Sequence, residues 1–189
     1  MKKAFVFLAE GFEEGESLLT IDILRRSGIT CDSVSILNKQ VTGCNGISVN
    51  ADYCIDEVDL NSYDMLILPG GMPGATNLVN CPYVIQSVQS FMSQNKYVAA
   101  ICAAPGTLEY FNILEGKDCT SYPGCIEDKD KVNYIEDELV VVDKNIITSR
   151  GPATALMFAL KILEELGYIN EMEEIKESML VNLYNKYAK

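Results

Sequence analysis

Histidine is absent from the 189 residues, and so is tryptophan. Without an imidazole there can be no Ser-His-Asp or Cys-His activation of a nucleophile and no imidazole metal ligand. Any acid or base in this chain is a carboxylate, a thiol, a lysine or a tyrosine. Long apolar runs are missing too. The run behind the two amino-terminal lysines, Ala4 to Ala9, breaks at Glu10, too soon for a secretory signal or a membrane span. The seven cysteines, at 31, 44, 54, 81, 102, 119 and 125, are odd in number and include no Cys-x-x-Cys pair. Neither a disulfide framework nor a zinc site is expected, and a reducing cytoplasm is the natural compartment. Positive charge is scarce, 15 Lys and Arg against 27 Asp and Glu, leaving a net charge of −12. Such a chain repels phosphate backbones, so nucleic acid is not an expected partner, and neither is a membrane. No repeat, linker or low-complexity tract divides residues 1–189, and 48% hydrophobic content suffices for one globular domain.

The apolar pattern that is present has a βαβ rhythm. Lys3 to Ala9 reads as a strand covered on both faces, Glu10 to Glu16 as an acidic loop, and Leu18 to Leu24 as a helix closed by Arg25-Arg26-Ser27-Gly28. Thr30 to Leu37 supplies the next strand. Between Asn38 and Asp59 glycines punctuate short β-type pieces around Val41, Ile47 to Val49 and Tyr53 to Ile55, which predict a small antiparallel excursion. A buried strand then runs into Pro69-Gly70-Gly71, and helical patterns follow over Ala75 to Leu78 and Val84 to Ser93. Beyond the middle of the chain, a loop with a short strand near Thr120 and a solvated Asp128 to Lys131 segment precede two tightly joined strands, Leu139 to Asp143 and Ile146 to Thr148. Pro152 opens a helix from Ala153 to Leu166, and Asn170 to Tyr187 reads as one further helix.

The centre of this organisation is Val98 to Gly106, an apolar strand ending in Cys102 and turning at once into Ala103-Ala104-Pro105-Gly106. A cysteine at such a corner stands at a strand's carboxyl end, with helix N–H groups aimed at it. That setting lowers a thiol pKa from about 8.5 into the range of about 3.5–7.5. A buried, inert core cysteine fits the same stretch. Three strands, 3 to 9, 65 to 69 and 98 to 102, end in unusual segments, and in a parallel sheet those ends share one edge. An acid, a backbone anion cradle and a thiol could meet there. Glu16, where the first helix begins, is the candidate acid, expected to hold its proton beside a thiolate. Glu10, Glu13 and Glu14 read as ordinary helix-start acidity. Gly70 and Gly71 suit either backbone donors for an oxyanion or simply a tight turn.

Four segments, Glu10 to Glu16, Leu68-Pro69-Gly70-Gly71, Ala99 to Pro105 and Thr148-Ser149-Arg150-Gly151-Pro152, resemble in order those of the ThiJ/PfpI superfamily, in the branch holding the parkinsonism-associated deglycase and its bacterial relatives. The resemblance implies an α/β, flavodoxin-like three-layer sandwich with a mostly parallel sheet and a nucleophile elbow, usually as a homodimer. It also implies Cys102 as nucleophile or oxidisable thiol, Glu16 as its protonated partner, and Gly70, Gly71, Ala103 and Tyr122 around the oxyanion and substrate site. Tyr122 stands where animal members carry histidine. Ala103 stands where the protease-like branch carries it, so peptidase activity is not expected. Glutamine amidotransferases share the elbow but need a histidine that this chain lacks.

Two functions remain open on these grounds. One is a glyoxalase or deglycase that needs no metal or organic cofactor, acting on small α-oxoaldehydes such as methylglyoxal or on their early glycated adducts. The other is a non-enzymatic oxidative-stress sensor or redox-regulated chaperone in which Cys102 is oxidised. A binding module with a merely structural elbow is the bland third reading.

Overall fold

The structure, a computed structural model, describes residues 1–187, and at Tyr184 and Asn185 the backbone only. In chain order the elements begin with β1 (Lys3–Leu8), α1 (Glu14–Arg26), β2 (Thr30–Ser35), β3 (Gln40–Thr42), β4 (Ser48–Asn50) and β5 (Tyr53–Cys54). Then come β6 (Met65–Leu68), α2 (Gly74–Val79), α3 (Pro82–Ser93), β7 (Tyr97–Ile101), α4 (Ala104–Tyr110), β8 (Asp118–Cys119) and β9 (Asn133–Tyr134). The last are β10 (Val140–Asp143), β11 (Ile146–Ser149), α5 (Ala155–Glu165), α6 (Ile169–Ser178) and α7 (Val181–Tyr187).

One seven-stranded sheet in the order β10-β11-β7-β6-β1-β2-β5 runs through the molecule, and every pairing in it is parallel except β10 with β11. The fold is therefore α/β with a mostly parallel sheet between helical layers. Apolar residues alternate between the layers: Ala4, Val6 and Leu8 of β1 join a core with α1, α5 and α6, whereas Phe5 and Phe7 join one with α3 and α4. A strand buried on both faces needs the near-continuous apolar run read from the sequence. Strand β1 lies between β2 and β6, so the chain reverses its direction of winding there, and the crevice at the carboxyl ends of β1 and β6 is a topological switch point.

Two sequence expectations need correction. Of the expected antiparallel excursion only β3 and β4 form a hairpin; Tyr53–Cys54 instead pairs parallel with Val34–Ser35 and closes the sheet edge. The final helix is two helices. Leu180 takes a left-handed φ of 61° between them, and the Leu180 amide bonds back to the Glu177 carbonyl. No proline or glycine marks that break, so periodicity alone reads through it.

Glu14 also departs from ordinary helix-start acidity. It is buried, and its carboxylate accepts from the Asn45 and Ile47 amides at 2.8 and 3.2 Å and from the Asn45 side chain at 2.9 Å. It fastens the β3–β4 hairpin onto α1. Glu13 does behave as a helix-start acid, since its side chain caps the Glu16 amide at 2.6 Å.

Candidate active site

The corner after β7 is strained as an elbow requires. Cys102 has φ of 64°, a left-handed conformation that costs a residue other than glycine on the order of 1–3 kcal/mol and persists only when its surroundings enforce it. Hydrogen bonds supply that enforcement from two sides. The Cys102 amide donates to the Ser149 carbonyl at 3.0 Å, and the Cys102 carbonyl accepts from the Tyr122 amide at 2.8 Å. The Ser149-Arg150-Gly151-Pro152 segment thus backs the elbow, being the end of the next parallel strand on the same edge.

The acidic loop and the glycine turn are stitched together in front of the elbow. Glu13 N–H donates to the Gly70 carbonyl at 2.9 Å, and Gly74 N–H to the Gly11 carbonyl at 3.1 Å. Gly71 has φ of 90°, and a side chain there would run into the Phe12–Glu13 backbone. With the loops so placed, Glu16 reaches inward from α1 and is 1% exposed. Its Oε2 accepts the Gly70 amide at 2.8 Å, while Oε1 is buried without a conventional hydrogen-bond partner. The carboxyl also faces the Cys102 thiol. Gly70 lies between the two: a Cβ on it would fall 2.6 Å from Cys102 Cβ and 2.9 Å from Glu16 Oε2. Gly70→Ala is expected to push the pair apart and destabilise the protein by about 1–3 kcal/mol. Urea unfolding combined with iodoacetamide labelling of Cys102 checks this.

Burial is the main reason the Glu16 carboxyl is raised to about 7, with the Glu13 charge adding to it against the opposing bonds from Cys102 and Gly70. Cys102 behaves otherwise than the sequence suggests. Burial, then the charge of the Glu16 carboxylate and its hydrogen bond with the thiol, push the thiol up, and only the Ala103 amide acts against them. The lowering expected from a helix end is outweighed here, by burial first and by the neighbouring Glu16 carboxylate second. Two of the influences raising Cys102 disappear once Glu16 is protonated. The pair therefore holds one negative charge at a time, and a thiolate is compatible with protonated Glu16.

The remaining expected residues surround this pair unevenly. Gly70 commits its amide to Glu16, so it positions the acid and is not a donor to a substrate oxygen. Among the described residues the Gly71 and Ala103 amides donate to no protein oxygen. Tyr122 is 51% exposed, its ring lies against Gly151, and it touches the elbow through its backbone. A cleft of about 370 Å³ opens one residue beyond the nucleophile, lined by Ala103, Gly106, Thr107, Cys125, Met72 and Ala75 among others. Sequence reasoning passed over Cys125, which sits in no motif. No cluster of three or more carboxylate or thiol side chains suited to a metal ion occurs among the described residues.

The chain as a whole is similar to known proteins. The DJ-1/PfpI family profile matches residues 2–165. The chain belongs to the DJ-1/PfpI family. It is 36% identical to Protein dj-1beta of Drosophila melanogaster over 182 residues, covering 95% of this chain and 97% of that one. The crystal structure of that protein superposes with a TM-score of 0.90. The Parkinson disease protein 7 homolog of Danio rerio is 34% identical over 186 residues, covering 95% and 97% of the two chains. An oxidized Toxoplasma gondii DJ-1 structure superposes with a TM-score of 0.88 at 32% identity, covering 95% and 98%.

Proposed function

We propose that this DJ-1/PfpI protein is a cofactor-independent thiol enzyme of glyoxalase or deglycase type, acting on small α-oxoaldehydes or their early adducts with amines and thiols. The observation that carries the reading is a buried carboxyl raised to about 7 against the thiol of a strained elbow. A general acid and base works best with a pKa near the operating pH, and here one group has it without an imidazole. Cys102 sulfur adds to the aldehyde carbon of methylglyoxal, and protonated Glu16 supplies the proton to the new hemithioacetal oxygen. Sulfur then carries no charge, so Glu16 ionises freely. It takes the proton from the former aldehyde carbon and returns one to the neighbouring carbon, while the hydroxyl proton passes to the former ketone oxygen, leaving a lactoyl thioester. Water cleaves this to lactate and restores the thiol, so the sum is methylglyoxal plus water giving lactate. For an early amine adduct, the same attack ends in release of the amine. The Gly71 and Ala103 amides are the donors this reading assigns to the developing oxyanion.

Lactate formation from methylglyoxal by the wild type, with none by Cys102→Ser, is the supporting result. Absence of turnover in the wild type, with peroxide adding oxygen selectively at Cys102, would instead favour the oxidative-stress sensor or redox-regulated chaperone. That second reading draws on the oxidized state named for the Toxoplasma gondii relative. A cytoplasmic setting is proposed with either reading, since both need a reduced thiol. No helix among the described residues is long and apolar enough to cross a membrane.

The protein is further proposed to act as a homodimer. Leu18 and Ile47 are 37% and 54% exposed, and with Leu19 and Pro152 they form a shallow, mainly apolar surface, edged by Glu14 and Asp22, on the helix that carries Glu16. Sedimentation equilibrium at micromolar concentration is expected to give twice the 20.9 kDa chain mass. Leu18→Glu should return it to the monomer value.

A further inference from the structure

Cys125 is tied to the elbow by backbone at both ends of its loop. The Cys102 carbonyl accepts the Tyr122 amide at 2.8 Å, and the Tyr122 carbonyl accepts the Cys125 amide at 3.1 Å. On its other side the Cys125 carbonyl packs so closely on Gly106, in the first turn of α4, that no side chain fits at that position. Cys125 is partly exposed and lines the same cleft as Ala103, the residue after the nucleophile. The intervening Pro123-Gly124 turn includes a left-handed glycine, φ of 84°.

The other cysteines stand elsewhere. Cys31 and Cys119 are buried in the two cores, Cys44 lies against Glu14 at the hairpin, Cys54 is on edge strand β5, and Cys81 begins α3. Electrostatics agrees with the placement. Beyond burial, the Cys125 thiol feels the Glu16 carboxylate, and Cys102 feels Cys125.

We propose that Cys125 is the resolving thiol for Cys102, so that this chain carries a reversible two-cysteine response to hydroperoxides. The step rests on the reading of Cys102 as a reactive thiol. Cys102 sulfur attacks the terminal peroxide oxygen; the O–O bond breaks, sulfur is oxidised to a sulfenic acid, and the peroxide is reduced to an alcohol or water. Cys125 sulfur then attacks the sulfenic sulfur. An S–S bond forms, the S–O bond breaks, and the hydroxyl leaves as water with the proton supplied by Glu16, which ionises, while the thiol proton passes to solvent. An external thiol reduces the disulfide and resets the pair. The arrangement removes the sulfenic acid before a second oxygen can add to make the irreversible sulfinate.

The test exposes wild type, Cys125→Ser and Cys102→Ser to a small molar excess of hydrogen peroxide, blocks free thiols with iodoacetamide, and maps peptides without reduction. The wild type should lose two hydrogens and give one peptide joining residues 102 and 125, reversed by dithiothreitol. In Cys125→Ser that peptide should be absent, and Cys102 should gain two oxygens that dithiothreitol does not remove. The wild-type map decides the matter even if a variant folds poorly. A wild-type Cys102 that goes to the sulfinate with Cys125 still open to alkylation, or that joins a different cysteine, would overturn the proposal and leave the thiol reading standing. A Cys102 that stays reduced after peroxide, gaining no oxygen and joining no cysteine, and that alkylates no faster than the others would overturn both.

Discussion

Glu16→Gln is expected to lower lactate formation from methylglyoxal by about two to four powers of ten, the usual worth of general acid and base catalysis, while the protein stays folded. The amide keeps an oxygen for the Gly70 N–H and an NH2 group for the sulfur, so the elbow keeps its neighbour. What it cannot do is release and recover a proton. The chain has no histidine to take over, and Glu16 is the carboxylate that acts on the Cys102 thiol. Tyr122→Phe should cost far less, because among the described residues the Tyr122 hydroxyl has no hydrogen-bond partner and the residue meets the elbow through its backbone amide. Steady-state rates for both variants, with circular dichroism to confirm folding, decide the point. Near-full turnover in Glu16→Gln, or a folded but inactive Tyr122→Phe, would show that the proton moves by another route.

Between pH 5 and pH 8 the wild type should lose stability that Glu16→Gln retains, by on the order of 3 kcal/mol. The Glu16 carboxyl titrates at about 7 in the folded protein against an ordinary value of 4.5, burial being the main cause. In that interval the folded protein holds a proton that the unfolded chain has already released. Unfolding therefore becomes more favourable as pH rises. The proton's contribution is complete below 4.5 and is gone once pH passes the folded value. Few other groups confuse this window. The chain has no histidine, and the other shifted carboxylates, Glu14, Asp52, Glu57, Asp64 and Glu136, are all lowered, so any stability they contribute is lost only as pH falls below the ordinary carboxylate range. In Glu14 and Asp52 burial alone would raise the carboxyl, but hydrogen bonds outweigh it, from Asn45 and Ile47 in the first and from Ser33 and Arg25 in the second. Urea titrations of wild type and Glu16→Gln at several pH values measure the difference directly. A wild type whose stability is level or rising across the interval would mean that Glu16 is already ionised in the folded state.

How far the chain could be read in advance differs from one residue to the next. The parallel strands were legible because a strand buried on both faces must be apolar along its length, as Phe5 to Leu8 and Met65 to Leu68 are, and because helices fall between them. From that arrangement it followed that Glu16, Gly70 and Cys102 come from loops on one edge, since parallel strands end together. The break at Leu180 was not legible, because a left-handed residue with an ordinary side chain leaves no compositional mark. Glu14 shows the same limit in another form: in sequence it is one more acid at a helix start, and its role depends on the Asn45 and Ile47 amides brought to it by the hairpin fold.

The site chemistry divides in the same way. The sequence alone determined that no imidazole is available, that a cysteine stands at a strand-to-helix corner and that an acid opens the first helix, because these are matters of residue type and order. Only the tertiary structure decided that the Gly70 amide is spent on Glu16, that Tyr122 lies to one side and that Cys125 shares the cleft. It also decided how the charge is shared. A pKa depends on what surrounds a group in space, and burial of the Glu16–Cys102 pair outweighs the helix-end potential that the order of residues by itself suggested.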